Sequence, residues 1–263
     1  MSTKNIKLSI ENNIATIYFN RPDQHNVINY DGWLKLKNTV EKIQINKDIK
    51  VLILRGEGNK SFSAGADIKE FSLSRNNSNQ AKKYSKAFDG SMDAIEKLQI
   101  PTISMIQGFC IGGGCELSTA TDIRIATENS KFGVPVAKLG ISIGYREMRR
   151  LINLIGPGNT SYILLSGKIL DAKEALNMGL ITLIKNSSEI EQFTYNLAKN
   201  ISELAPLSHI QHKEILKKVL KDPSLENLTD NERNFPFEIF DSHDFNIGRK
   251  AFINKKAPKF KGN

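Results

Sequence analysis

Short β-rich runs alternate with helical patterns along the first 185 residues of the chain, and helical patterns alone follow. Apolar residues recur at helical spacing over residues 30–45, whereas Val51-Leu52-Ile53-Leu54 has the pattern of a buried strand. Two β-rich runs flank Asn12-Asn13, which is typical of a hairpin. This order predicts an α/β core, residues 1–195, followed by a helical C-terminal region, residues 196–263.

The remaining elements follow from apolar periodicity and from glycine and proline positions. The predicted strands cover residues 6–10, 14–19, 51–54, 102–107, 123–126 and 180–184, and the predicted helices cover residues 30–45, 81–98, 113–120 and 145–155. A turn of helix is expected near 68–71, and the polar segment 72–80 is expected to be mobile. Gly156-Pro157-Gly158 is expected to end the helix before it, and Asp171 and Glu174 have the spacing of a capping box.

Composition excludes several classes of protein. The chain has 263 residues, of which 40% are apolar and 25% charged, so it can bury a sizeable core. No apolar run is long enough to span a bilayer, and MSTKNIKLSI lacks a secretory pattern, so a cytoplasmic location is expected. Cys110 and Cys115 are expected to be buried thiols. His209 and His212 are expected on a solvated helix face, so no metal site is predicted.

The net charge indicates a partner that carries phosphate. Lys and Arg number 37 against 28 Asp and Glu, a formal charge of +9. Such an excess suits nucleic acid or a nucleotide-containing ligand. RNA binding requires a basic stripe with aromatic platforms, whereas the lysines here are dispersed, so nucleic acid is not expected as a partner.

Two glycine-containing turns follow predicted strands. The first is Ser61-Phe62-Ser63-Ala64-Gly65-Ala66-Asp67, and the second is Gly108-Phe109-Cys110-Ile111-Gly112-Gly113-Gly114-Cys115-Glu116, before a helix. Backbone N–H groups at such positions point outward and favour negative charge, so two adjacent turns could form an oxyanion hole. A tight turn that only serves packing is the alternative for each. Neither the dinucleotide-binding pattern Gly-x-Gly-x-x-Gly nor the nucleophile pattern Gly-x-Ser-x-Gly occurs.

The motifs together resemble the enoyl-CoA hydratase/isomerase (crotonase) superfamily over nearly the whole chain. They are Asn20-Arg21-Pro22, Phe62-Ser63-Ala64-Gly65-Ala66-Asp67-Ile68-Lys69-Glu70, Ile111-Gly112-Gly113-Gly114-Cys115-Glu116-Leu117, Asp122-Ile123-Arg124-Ile125-Ala126, Lys131-Phe132-Gly133, Leu139-Gly140, Leu165-Ser166-Gly167, Ala175-Leu176-Asn177-Met178-Gly179-Leu180 and Ala251-Phe252. These motifs are specific for the superfamily but not for one reaction within it.

The resemblance implies a crotonase-type spiral of ββα units whose helical C-terminal region assembles a homotrimer or a dimer of trimers. It implies an acyl-CoA thioester substrate, with coenzyme A as part of that substrate and no further cofactor. The N–H groups of Ala66 and Gly113 would hold the thioester oxygen and stabilise an enolate. The residues implied to contact coenzyme A are Ala64, Ala66, Asp67, Ile68 and Lys69, with Phe252 and Lys255 from the C-terminal region.

Hydratases of this superfamily use two glutamates. Glu116 corresponds to the first, although a carboxylate in the first turn of a helix also complements the helix dipole. Val136 stands where the second glutamate is expected. Tyr145 or Glu147, just beyond, could supply the missing catalytic group, and surface charges at a helix start are the equal alternative for Glu147.

Three functions therefore stay open from the sequence. The first is a hydratase or isomerase of acyl-CoA that has only the first glutamate. The second is decarboxylation of a malonyl- or methylmalonyl-type thioester, which needs an oxyanion hole and no base. The third is a non-catalytic homologue that binds coenzyme A esters or RNA.

Overall fold

The computed structural model describes residues 5–263. The predicted lack of a secretory pattern concerns residues 1–10, of which residues 1–4 lie outside the described residues. The strands are β1 (Ile6–Glu11), β2 (Ile14–Phe19), β3 (Val51–Gly56), β4 (Ser61–Ser63), β5 (Thr102–Ile106), β6 (Phe109–Ile111), β7 (Ile123–Thr127), β8 (Lys131–Gly133), β9 (Leu170–Asp171) and β10 (Leu183–Lys185).

The helices separate and follow these strands. They are α1 (Tyr30–Ile45), α2 (Phe71–Ser74), α3 (Ser78–Lys97), α4 (Gly113–Ser118), α5 (Tyr145–Ser166), α6 (Ala172–Asn177), α7 (Ile190–Ser202), α8 (Pro206–Lys221), α9 (Asp230–Glu238) and α10 (His243–Ile253), with 3-10 turns at Pro22–Gln24, Ile68–Glu70, Val136–Leu139 and Ile239–Asp241. No helix within residues 5–263 is long and apolar enough to cross a bilayer.

The strands form two sheets. The large sheet has the order β1-β2-β3-β5-β7-β10, and the small sheet has the order β4-β6-β8-β9. The hairpin of β1 and β2 is the antiparallel pair of the large sheet, and the predicted turn is confirmed because Asn12 and Asn13 both have positive φ, 49° and 67°. The strands β2, β3, β5, β7 and β10 are parallel.

The chain repeats one unit three times. Strands β3, β5 and β7 lie in the large sheet, and each is followed by a short strand of the small sheet, β4, β6 or β8. A helical segment comes after each short strand. Because β4, β6 and β8 are parallel, their carboxyl ends lie at one edge. This ββα repetition is the predicted spiral of the α/β class, and the edge collects the two glycine-containing turns.

The large sheet separates two apolar clusters. Leu52 and Leu54 of β3 face the main core, which also contains Trp33 of α1. Val51 and Ile53 alternate with them and face Ile190 of α7 on the other side. Helix α7 crosses the boundary predicted after residue 195, which stays a prediction.

Several predicted elements need correction. The predicted end of a helix at Gly156-Pro157-Gly158 is confirmed, because the backbone of Gly156 is non-helical, at φ 71° and ψ 168°. The sequence prediction missed the second helical stretch of α5, which continues to Ser166. The segment 72–80, predicted to be mobile, contains the end of α2 and the start of α3, whose first turn is capped by the Asn77 side chain. The short strands β4, β6, β8 and β9 are missing from the sequence prediction, because two or three residues show no periodicity.

Candidate active site at the carboxyl edge of the small sheet

The two predicted glycine turns are in direct contact. A Cβ atom built on Gly65 would lie 2.5 Å from the Gly113 amide nitrogen, and Gly65 has φ +86°. Only glycine permits both this conformation and this approach. The turn after β6 is further joined to β8 by the hydrogen bond from Gly112 N to Gly133 O, at 2.8 Å.

The amides of Ala66 and Gly113 are free and close together. On either side of Ala66, Gly65 O accepts from Ile28 N at 2.8 Å and Asp67 N donates to Ile28 O at 3.1 Å. Within residues 5–263, the N–H groups of Ala66 and Gly113 themselves donate no hydrogen bond. A Cβ atom on Gly113 would lie 3.4 Å from Ala66 N. Two free amides, one at the start of α4 and one in the turn after β4, can hold an oxygen that becomes negatively charged.

Glu116 lies in the first turn of α4, and its side chain is buried. The residue is 4% exposed, and within the described residues its carboxyl group accepts no hydrogen bond. The pKa of Glu116 is raised to about 8, mainly by burial and then by the negative charge of Glu147, while the guanidinium of Arg75 opposes both effects. A carboxyl group with this pKa can donate or accept a proton near neutral pH.

Val136 brings no carboxylate to the site. It begins the 3-10 turn Val136–Leu139 after β8 and packs, half-buried, against the main core. No carboxyl group therefore enters the site at this position.

Tyr145 and Glu147 lie on opposite sides of the first turn of α5. Tyr145 is 97% exposed, whereas Glu147 is 3% exposed. Its Oε1 has no hydrogen-bond partner within residues 5–263, and its Oε2 bends towards Gly144. The pKa of Glu147 is raised to about 7, mainly by burial and then by the contact of its side chain with the Asp89 carboxyl group. Of the two residues, only Glu147 is buried within electrostatic reach of Glu116.

Ion pairs attach the start of α5 to α3. Arg150, 3% exposed, donates to Asp93 Oδ1 at 2.6 Å and to Glu96 Oε2 at 2.8 Å. Arg149 pairs with Glu96 at 2.6 Å, and Arg146 pairs with Asp93. These contacts fix the rotation of α5 and so hold Glu147 towards the interior.

The predicted coenzyme A contacts are spread over two regions. Asp67 pairs with Arg21 at 2.8 Å and caps the following turn by accepting from Lys69 N, while Ile68 and Lys69 are exposed. Phe252 of α10 and Lys255 are exposed as well. Their role in binding coenzyme A stays a prediction.

Three residues of this region are missing from the sequence prediction: Arg75, Asp89 and Arg150. Asp89, Asp93 and Glu96 are spaced by four and three residues, so one face of α3 is acidic and could have indicated a basic partner helix. No comparable signal marks Arg75, which lies in the segment expected to be mobile.

Cys110 and Cys115 are fully buried thiols, as predicted. Within residues 5–263, no cluster of three or more His, Cys, Asp or Glu could hold a metal ion.

The ββα spiral and the adjacent glycine turns are those of an enzyme of the crotonase type, and comparison establishes the family. The family model described as enoyl-CoA hydratase/isomerase matches residues 9–263, and the chain belongs to this family.

Individual relatives agree with the family assignment. A crotonyl-CoA hydratase of Syntrophomonas wolfei subsp. wolfei is 32% identical, with 99% of each chain covered. A short-chain-enoyl-CoA hydratase of Clostridium acetobutylicum is 30% identical, with 97% of each covered. The crystal structure of an enoyl-CoA hydratase/carnithine racemase from Magnetospirillum magneticum superposes with a TM-score of 0.95 at 35% identity, covering 100% of this chain and 97% of that one. The predicted crotonase-type fold is thus confirmed.

Proposed function

We propose that the protein hydrates a short-chain 2-enoyl-CoA thioester, with Glu116 and Glu147 as its two acid–base groups. The names of the similar hydratases from Syntrophomonas wolfei and Clostridium acetobutylicum support the reaction class. The observation on which the proposal depends is the carboxyl group of Glu147, which is buried within electrostatic reach of Glu116 and whose Oε1 has no hydrogen-bond partner within residues 5–263. Glu147 supplies the carboxyl group that is absent at Val136.

The oxyanion hole is formed by Ala66 N–H and Gly113 N–H. Addition of water at Cβ of the enoyl group places negative charge on the thioester oxygen, and the two amides stabilise this enolate. Each donor of such a hole contributes about 3 kcal/mol to transition-state stabilisation. Because both amides lie in turns fixed by neighbouring strands, they are oriented before the substrate binds.

The two glutamates divide the proton transfers. Glu147, with the pKa of about 7, is the group that accepts a proton from water. Glu116, with the pKa of about 8, is the group that protonates Cα. A pair of carboxyl groups in different protonation states is what acid–base catalysis of hydration requires, and one positioned group contributes roughly 10²- to 10⁴-fold.

Coenzyme A would be bound by the remaining predicted residues. Ala64, Asp67, Ile68 and Lys69 lie beside the oxyanion turn, and Lys69 and Lys255 would attract its phosphates. We further propose a homotrimer or a dimer of trimers, in which Phe252 and Lys255 reach the ligand.

Decarboxylation of a malonyl-type thioester is the competing reaction. It uses the same oxyanion hole and needs no base. A second buried carboxyl group beside Glu116 supports hydration instead, because a negative charge there would repel the carboxylate of a malonyl group.

The test is turnover of crotonyl-CoA and malonyl-CoA, with the products identified by mass. Wild-type protein should add water to crotonyl-CoA, and Glu116→Gln and Glu147→Gln should each lower this rate by roughly 10²-fold or more. Glu203→Gln, at an exposed glutamate, is the matched control. Loss of carbon dioxide from malonyl-CoA without hydration of crotonyl-CoA would overturn the proposal, and so would full activity of Glu147→Gln.

A further inference from the structure

Arg75 is held over two aromatic rings at the end of α2. Its guanidinium lies 4.5 Å from the centroid of Tyr84 and 4.9 Å from that of Phe71. Its backbone N–H donates to Phe71 O at 2.8 Å. The Tyr84 ring is itself fixed, because Trp33 Nε1 donates to its hydroxyl at 2.7 Å. The position of the guanidinium is therefore determined by packing and not by a salt bridge.

This guanidinium has no carboxylate partner. Within residues 5–263, the Arg75 side chain makes neither an ion pair nor a hydrogen bond, although the residue is half-buried. Two acids near the Tyr84 ring are used elsewhere: Glu70 Oε2 accepts from Tyr30 N at 3.0 Å, and Asp67 pairs with Arg21 at 2.8 Å. Arginine placed on aromatic faces keeps its forked N–H donors available for a planar anion.

A row of rings connects Arg75 to the oxyanion turn. A Cβ atom on Gly113 would lie 2.9 Å from Cε2 of Phe88, so that ring lies against the turn. The centroids of Phe88 and Tyr84 are 6.5 Å apart, and Arg75 lies over Tyr84. The charge of Arg75 also reaches the Glu116 carboxyl group, whose pKa it lowers. Among the described residues, Arg75 is thus a cation without a hydrogen-bonded anion that lies within electrostatic reach of Glu116.

We propose that Arg75 binds a carboxylate at the distal end of the acyl group, so that the preferred substrates are short dicarboxylic acyl-CoA thioesters. This inference rests on the proposed function, because it assumes that the thioester lies between Glu116 and the free amides. It makes Arg75 a specificity-determining residue and not a catalytic one.

The physical reason is the cost of covering a cation. A purely apolar acyl chain would remove water from the guanidinium without replacing its hydrogen bonds, which is unfavourable. A carboxylate would accept two parallel N–H donors from the guanidinium, which is the strong geometry for this pair. The neighbouring Glu116 would repel this carboxylate only weakly at neutral pH, since its pKa of about 8 keeps it mostly protonated.

The experiment compares two saturated ligands of the same shape by titration calorimetry. Glutaryl-CoA ends in a carboxylate, and 5-methylhexanoyl-CoA carries an isopropyl group in its place. Wild-type protein should bind glutaryl-CoA more tightly by roughly tenfold to a hundredfold, the contribution of a charge-assisted hydrogen-bonded pair. Arg75→Gln should lose this ratio, and Arg75→Lys, which keeps the charge without the fork, should retain part of it.

Lys82→Gln provides the matched control. It removes one positive charge from an exposed position on α3, and the ratio of the two dissociation constants should stay at the wild-type value. Equal affinity of the wild-type protein for both ligands would overturn the role of Arg75 and leave the proposed function intact. An unchanged ratio of the two dissociation constants in Arg75→Gln would likewise overturn the role of Arg75 and leave the proposed function intact. If neither ligand binds, the inference and the proposed function both fail.

Discussion

A Cβ atom at Gly65 would lie 2.5 Å from the amide nitrogen of Gly113, although the two glycines belong to different ββα units. This contact brings two strand ends together closely enough for one oxygen atom to receive hydrogen bonds from both turns. The geometry of the candidate site therefore depends on a residue that contributes no functional group.

Replacing Gly65 by alanine should abolish turnover. The new methyl group would push the Gly113 amide away, and the backbone at φ +86° would be strained as well. Gly58→Ala separates the two effects, because Gly58 also has positive φ, +74°, but its nearest contact would be 3.9 Å away. We expect Gly58→Ala to cost about 1 kcal/mol in urea unfolding and to keep its activity. Equal activity of the two variants would contradict the assignment of the oxyanion turn.

Glu147 and Tyr145 should differ strongly in their effect on hydration. Glu147→Gln should lower kcat by roughly 10²- to 10⁴-fold, because a buried acid–base group is removed. Tyr145→Phe removes only an exposed hydroxyl group, and we expect a change below about threefold. Steady-state kinetics with crotonyl-CoA would decide this, and a larger effect of Tyr145→Phe would reverse the assignment.

The buried carboxyl of Glu116 should make stability depend on pH. Its pKa is about 8 in the fold against an ordinary value of 4.5, so folding favours the protonated form. The contribution of this group is complete below the ordinary value and is lost as the pH rises through about 8. Glutamine cannot ionise, so the stability of Glu116→Gln relative to wild type should increase between about pH 5 and pH 8.5, by up to a few kcal/mol. Urea unfolding of both proteins at the two pH values measures the difference in their free energies of unfolding. A difference that does not change with pH would refute the buried state of Glu116.

Arg150 and Arg149 share the partner Glu96 but differ in burial. The Arg150 side chain is 2% exposed and that of Arg149 is 54% exposed. Arg150→Met removes the buried cation that Asp93 and Glu96 share and leaves each carboxylate with only a more exposed arginine, Arg146 or Arg149, so we expect a loss of about 2–3 kcal/mol. Arg149→Met should cost less than about 1 kcal/mol. Chemical unfolding of the two variants side by side would test this, and equal losses would count against the ion pairs as the attachment of α5.

An acyl-CoA ligand should raise the melting temperature. A ligand that binds only the folded state at a hundred times its Kd adds about 2.7 kcal/mol to the stability. For a chain of this size, that corresponds to a shift of roughly 5–10 °C. Calorimetric scans with crotonyl-CoA and with free coenzyme A would separate the acyl contribution, and absence of any shift would argue against the proposed ligand class.

Local sequence signals were sufficient for much of the fold. Three elements occur where they are predicted: the turn at Asn12-Asn13, the helix Tyr30–Ile45, and the capping box of Asp171 and Glu174. Each depends on residues that are neighbours along the chain. The sequence also indicated the glycine turns and Glu116 as candidates, since their motifs occupy consecutive positions, and the structure places the two turns in contact.

The positions of Arg75 and Glu147 were decided by the tertiary structure. Side chains two positions apart in a helix point to nearly opposite sides, so the sequence could not tell whether Tyr145 or Glu147 faces inward. The ion pairs of Arg150 with α3 settle that rotation, and they join residues more than 50 positions apart. Arg75 likewise depends on the ring of Tyr84 from another helix. The sequence by itself determined the local elements and the family motifs, whereas burial and charge at the site arise only when distant helices pack, because both depend on what surrounds a side chain.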